Sequence, residues 1–516
     1  MEQTQPRRGG RARRIALRQA PLPEDERPVM PGLEGGLYRP LSEQQQHQIH
    51  QSVLDILETV GLADAIPTCL ESMQAFGCFV NDRGRLCIPR ALVEDVIANA
   101  NRSFTLYGQD SRHDMQPHGT KVYFGTAGAA VHMVDYQSRT YRQSKLQDLY
   151  DMARMVDRLD HIHFFQRTLV ARDLPDPFEM DVNTCYASIA GTTKHVGTGW
   201  VVPESLHASL EMLHLLAGGE AAWRARPFVS MSCCFVVPPL KFAEDACRCL
   251  EIAVRAGMPV LLLAAGQAGA TSPSSLAGAV VQELAEVLAG LVYVHSIKQG
   301  APAILGPWPF VSDLRSGAMS GGSGEQAVLM SACAQMGQYY DLSTGVAAGM
   351  TDSKLPDIQA GLETGYNHAL VGNSGANMVY ESAGMQASLL GCSLEKLVMD
   401  NDGIGAVMRT VRGVETDRDS LATETIRDVC LNGPGHFLGH GQTLARMQRD
   451  YVYPLACDRT SPKEWAEQNS SEAAERAHAI AGDILQNHFP GHISAEHDRM
   501  IRDSLPIRLA VKAMRP

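Results

Sequence analysis

Six aromatic residues stand at or just past the carboxyl ends of short β-prone runs: Phe124, Trp200, Phe235, Trp308, Phe310 and Tyr380. Aromatic residues make up only 6% of the chain and tryptophans number four, so two tryptophans in this set is a large share. Ring faces gathered around a cavity attract a quaternary ammonium or another organic cation through the ring quadrupole. The competing reading is that these rings are packing residues, and composition alone leaves both readings open. Charged residues fall near the same ends: Arg167, His195, Asp313, Arg315, Asp352, Lys354 and Glu381. The stretch from Gly349 to Glu363 places Asp352, Lys354, Asp357, Gln359 and Glu363 directly after an apolar run. A helix cap accounts for part of it, and a site role fits at least as well. Asp352, Lys354 and Glu381 are the catalytic candidates. The six aromatics, Arg167 and His195 are the substrate-binding candidates.

These residues need elements to hold them. From Met258 to Ala265 an apolar run ends in Gly266 and Gly269. Thr271 or Ser272 is placed to cap a helix with Pro273 in its first turn. Leu276, Val280, Leu284, Val287 and Leu291 then repeat at helical spacing, Gly300 closes the helix, and another buried strand begins at Pro302. That is a βαβ unit with a small, polar loop at the strand's carboxyl end, where parallel α/β proteins carry their chemistry. Similar runs recur at 121–126, 161–170, 195–202, 228–237, 259–265, 302–308, 342–347 and 377–380, most of them separated by helical patterns. Eight strands with intervening helices predict a TIM (β/α)8 barrel, with an open doubly wound sheet as the runner-up. The expected organisation is an N-terminal extension over 1–115 (a basic tail, three helices and a hairpin around Asn81 to Gly84), the barrel over 116–392, and a C-terminal helical segment over 393–516 packing on it.

The chain has 516 residues and a formal net charge of −12, which argues against a nucleic-acid surface. The one basic cluster, Arg7-Arg8-Gly-Gly-Arg11-Ala-Arg13-Arg14, reads as a solvated tail. No apolar run is expected to span a membrane and no signal peptide is recognised, which points to the cytoplasm. Twelve cysteines without a CxxC pair read as reduced and mostly buried. His436 and His440 have i,i+4 spacing, but no acid stands in the HExxH position, so neither zinc nor another metal is expected. His161 and His163 fit strand alternation better than a ligand pair. No GxGxxG, Walker A or GxSxG element appears, which leaves nucleotide and serine-hydrolase chemistry unsupported.

Several long motifs occur in order along nearly the whole chain: RRGGRARR, GATSPSSLAGAVVQELAEVLAGLV, GAPAILGPWP, TDSKLPDIQAGLETGY, SLEKLVMDND, GPGHFLGHGQTL and YPLACDRTSPKEW. In these the chain resembles the trimethylamine methyltransferase (MttB) superfamily. The resemblance implies a TIM barrel that moves a methyl group from a methylamine to Co(I) of a corrinoid (cobalamin) held by a separate corrinoid protein, an EC 2.1.1.- reaction. Founding members carry pyrrolysine, whereas this sequence shows only standard residues and resembles glycine-betaine-type members. A quaternary ammonium already bears the charge that makes a neutral amine its leaving group, so it needs orientation and a cation-friendly cage rather than a covalent helper. A betaine would also want a donor for its carboxylate, such as Arg167 or His195. Trimethylamine as substrate, a non-catalytic relic that only binds an organic cation, and a metal-dependent barrel hydrolase are the alternatives. A homo-oligomer is expected.

Overall fold

The computed structural model describes residues 27–515, so the basic tail lies outside the described residues. Eight parallel strands and eight helices alternate: β1 Lys121–Thr126, α1 Leu146–Arg158, β2 Phe164–Gln166, α2 Pro177–Gly191, β3 His195–Thr198, α3 Pro203–Ala217, β4 Val229–Cys233, α4 Glu244–Arg255, β5 Val260–Ala264, α5 Leu276–Ile297, β6 Ala303–Pro307, α6 Gly324–Tyr339, β7 Gly345–Ala347, α7 Ile358–Ser374, β8 Met378–Ala383 and α8 Leu394–Arg412. All eight expected runs contain a strand. β5, VLLLA, is buried throughout, as a parallel strand covered on both faces must be.

The strands follow one another around a ring. β2 to β6 form one parallel ladder, and β7, β8 and β1 form another. Two seams join them. Leu305 of β6 bridges Thr344, with its N–H donated to Ser343 O at 2.9 Å. Between β1 and β2, His163 N–H is donated to Phe124 O at 2.7 Å and Gln166 N–H to Thr126 Oγ1 at 2.9 Å. The open-sheet alternative leaves two unpaired edges, which these seams close.

The amino end of the barrel carries Leu33–Glu34, antiparallel to β1. Helices Glu43–Thr59, Pro67–Ala75 and Arg90–Asn99 pack on α5. At the carboxyl end, the loop after β1 supplies the hairpin His132–Asp135/Thr140–Gln143. The loop after β8 adds Met385–Gln386 and Gly391–Cys392 to the same four-stranded sheet. After α8 come short helices and then Ala473–Asn487, which packs along α8 and α1.

Two local expectations change. α5 begins at Leu276 with Ser275 at its N-cap, not at Thr271 or Ser272. Thr271 instead accepts Gln267 N–H at 2.8 Å, closing the Gly-rich loop into a turn of its own. And α5, at 22 residues, is long and apolar enough by composition to cross a membrane, contrary to the reading that no such segment exists. It is a core helix: 83% of its most apolar window is buried, between the barrel wall and the N-terminal helices.

Candidate functional site at the barrel mouth

The upper interior of the barrel is a ladder of rings. Phe164 of β2 meets Tyr380 of β8 edge-on at 5.0 Å, Tyr380 meets Trp308 at 5.7 Å, and Trp308 meets Phe310 at 6.3 Å. Glycines make room for it. A Cβ on Gly125 would come within 2.3 Å of the Phe164 ring, and one on Gly345 within 2.6 Å of Tyr380. The indole N–H of Trp308 is donated to Gly345 O at 3.0 Å, which fixes the ring over β7. The Tyr380 hydroxyl has no partner among the described residues.

Glu381 follows Tyr380, and strand alternation would send it outward. A bulge between Val379 and Ala383, with Glu381 at φ +49°, breaks the alternation. Ser382 bonds His368 Nε2 on α7 at 2.7 Å, and Glu381 turns to accept Gly128 N–H at 2.9 Å. A bulge that re-aims a side chain, with a non-glycine residue held in the left-handed region, is a feature of functional sites. Burial pushes the Glu381 carboxyl up to about 8, against the opposing pull of Gly128 N–H and Arg167. Burial thus favours its protonated form.

Arg167 stands just past β2, its charge felt by Glu381, Asp181 and Cys234. Its guanidinium forms no hydrogen bond or ion pair among the described residues. Burial pulls its pKa down and the neighbouring acids pull it back up, so it remains a cation. Cys234, past β4, is exposed, yet burial pushes its thiol up to about 11. Beneath them, Gln166 Nε2–H is donated to Ser232 Oγ at 2.9 Å. Gln166 Oε1, Thr168 Oγ1, Thr198 Oγ1 and both amide atoms of Gln386 are buried without a partner. Unpaired buried polar atoms are uncommon in proteins and call for an explanation. Here they cluster at one end of one barrel, on or beside the strands that carry Arg167 and Glu381.

The structure therefore gathers Trp308, Phe310, Tyr380, Arg167 and Glu381. It does not gather the rest. Phe124 points outward, its ring edge-on to His368 of α7 at 5.2 Å. Phe235 packs on Gly290 of α5. Trp200 donates its indole N–H to Ser209 of α3 at 2.9 Å. His195 opens β3 instead of closing it, with its ring nitrogens against Tyr107 O at 2.7 Å and Ser230 Oγ at 2.9 Å, and burial pulls its pKa down to about 4. Asp352 accepts from Ser320 and Ser388 and ties the loops after β6, β7 and β8 together. Lys354 is exposed and bonds the Asp352 carbonyl. Arg315 is a surface partner of Asp313, whose carboxyl it holds down at about 2.

Sequence reasoning passed over Phe164, Gln166 and Cys234. Phe164 and Gln166 lie inside a recognised run, where only the facing direction would single them out. Cys234 is counted in the sequence only among the twelve cysteines read as reduced and mostly buried. Among the described residues no group of three metal-binding side chains occurs. His440 caps the helix Gly441–Arg449, accepting Gln442 N–H at 3.1 Å.

A family model described as "Trimethylamine methyltransferase (MTTB)" matches residues 7–510. The chain is 30% identical over 450 residues to trimethylamine methyltransferase MttB of Desulfitobacterium hafniense (strain DSM 10664 / DCB-2), covering 87% of this chain and 90% of that one. It is also 30% identical to glycine betaine methyltransferase of Desulfitobacterium hafniense (strain Y51), covering 90% of this chain and 96% of the relative. MttB2 of Methanosarcina mazei is 33% identical, covering 87% and 90%. Among solved structures, that of the hydroxylamine MtmB complex aligns with 86% of this chain and 92% of its own at 12% identity, with a TM-score of 0.46.

Proposed function

The chain belongs to the trimethylamine methyltransferase (MTTB) family of corrinoid-dependent methyltransferases, and from that premise we propose that its substrate is a carboxylated quaternary amine of the betaine class. The observation that carries this reading is Arg167. A half-buried guanidinium at the mouth, without a partner of its own among the described residues, is a seat for a carboxylate. Trimethylamine has no carboxylate to place there.

The methyl acceptor is a corrinoid on a partner protein, which supplies a strongly nucleophilic Co(I). The rim of the mouth fits a docking partner. Val201, Val237, Leu314 and Leu390 are exposed apolar side chains on the loops after β3, β4, β6 and β8. Arg167 would orient the carboxylate so that the ammonium lies along the aromatic ladder with one N–methyl bond facing out. Trp308 and Phe310 attract the cation without offering a competing nucleophile. Glu381 contributes by being neutral. An ionised carboxylate beside the ammonium would stabilise the substrate more than a transition state that is losing its charge, and would slow transfer. The protonated acid avoids this and can give its proton to the departing tertiary amine. Co(I) and twelve unpaired cysteines suit a reducing, cytoplasmic setting.

The test is methylation of the reduced corrinoid protein, followed by the cobalt spectrum, with glycine betaine, proline betaine, carnitine, choline and trimethylamine as donors. One or more betaines should turn over while choline and trimethylamine do not. Turnover of trimethylamine alone would overturn the substrate class. Absence of turnover with binding of the cations retained would favour a non-catalytic binding protein.

A further inference from the structure

We propose that residues 413–450 form an arm that clasps a second copy of this chain, at the end of the barrel opposite the mouth. The chain leaves α8 at Arg412 and returns to the same residue. Arg412 pairs with Asp450 at 3.0 Å and also bonds Arg449 O, while Arg409 bonds Asp450 O at 2.9 Å. Between these anchors lie two short helices, Thr423–Leu431 and Gly441–Arg449. The second is tied to the segment ahead of the first by Arg446, which pairs with both Asp419 and Asp450, and by Gln442, which bonds Asp419 O. The arm is thus a closed excursion with its own internal bonds, not a loose loop.

It has almost no core. Only Val429 is buried on the first helix and no residue is buried on the second. Its apolar side chains face out: Val414 is 87% exposed, Leu431 75% and Leu438 81%. Seven of the twenty-five large apolar side chains exposed among the described residues fall on the arm itself, between Val414 and Leu444. At on the order of 100 Å² each they offer on the order of 700 Å², beyond the few hundred Å² of the largest patch on a typical monomer and close to one side of a stable interface. Phe437 and Leu438 sit in the GHFLGH motif, whose histidines take no part in the mouth.

Position selects the occupant. In an alternating barrel a helix runs back from the mouth, so Arg412, at the end of the 19-residue α8, lies about 28 Å from its start. The same arginine bonds Pro28 O, close to Leu33–Glu34 on the amino end of β1. A corrinoid protein must approach the mouth, and a surface at the other end leaves that approach open. A second copy, presenting the same arm across a two-fold axis, buries the patch on both partners at once.

Sedimentation velocity of the full chain, from about 0.1 to 20 µM, tests this with the double variant Leu431→Asp/Leu438→Asp. The parent should sediment as a dimer or a multiple of dimers and the variant as a 56.0 kDa monomer with an unchanged circular dichroism spectrum. Leu362→Asp, on α7, controls for apolar surface elsewhere and should leave the assembly intact. Cys430, exposed on the arm beside Leu431, supplies a measurement on the unaltered chain. Its alkylation, located by peptide mass spectrometry, should speed up at least fivefold on dilution below the dissociation range. A parent that is monomeric at 20 µM overturns the proposal. So does a double variant that keeps the parent's assembly, or a Cys430 rate independent of concentration.

Discussion

The proposed function rests on two residues of the mouth, Arg167 and Glu381, and each makes a distinct prediction. Arg167→Gln removes the charge that would receive a carboxylate. It should raise KM for a betaine by about 10- to 100-fold, the range of about 1.5–3 kcal/mol for a hydrogen bond to a charged group, and leave the melting temperature within a few degrees. Equal KM values for the variant and the parent would remove Arg167 from the site. Glu381 is a pH prediction. Its folded pKa is raised to about 8, so between its ordinary value and 8 the folded state holds a proton that the unfolded state has lost. Stability therefore falls as pH rises through that window, by an amount on the order of a few kcal/mol. Glu381→Gln should flatten the decline of melting temperature between pH 5 and 8, and should make turnover less dependent on pH there. A variant with the parent's slope would show that Glu381 is ionised at neutral pH. Glu381 is legible in the sequence as one of several charged residues near the ends of the β-prone runs. That it faces the mouth depends on one bulge, which no periodicity announces.

At the scale of elements, α5 does more than fill the core. Glu283 and Glu286 lie one turn apart on it, both buried. Glu283 accepts Gly266 N–H from the loop after β5 at 2.9 Å, and Glu286 accepts Leu240 N–H from the loop after β4 at 2.7 Å. One helix thereby holds two of the loops that shape the mouth. Burial pushes both carboxyls up, Glu286 to about 7, and each leaves one oxygen unpaired. Glu286→Gln keeps the acceptor and should change stability by less than about 1 kcal/mol, whereas Glu286→Leu strands the Leu240 N–H and should cost about 1–3 kcal/mol. Urea titration measures both, and equal losses would mean that the loop contact contributes nothing. The α5 periodicity was plain from its leucines and valines. These two acids were hidden in it, because helical spacing tells which face is apolar but not that an acid on that face meets a loop 17 or 46 residues away.

For the whole molecule, the exposed apolar rim predicts that Val237→Asp or Leu314→Asp raises the KM for the corrinoid protein several-fold while the betaine affinity stays put. Unchanged kinetics in both would move partner docking elsewhere. The sequence by itself determined the barrel. Buried β runs and helical stripes are local patterns set by the alternation of burial along each element, and eight of them in succession admit few arrangements. It also determined the family, through long motifs in order. Only the tertiary structure decided which strand-end residues meet. Phe124, Phe235 and Tyr380 look alike as aromatics at or near strand ends, yet two pack against outer helices and one enters the barrel. A strand has two faces, and which one turns inward is settled by register, by the glycines that admit a ring and by the bulge at Glu381. His195 is a different case: it is the first residue of its run, so the direction of the chain alone puts it at the amino end of the strand, and the structure places it there. The arm at 413–450 is the remaining case: the sequence places it in a C-terminal helical segment expected to pack on the barrel, and only the folded chain shows that its apolar side chains are exposed among the described residues.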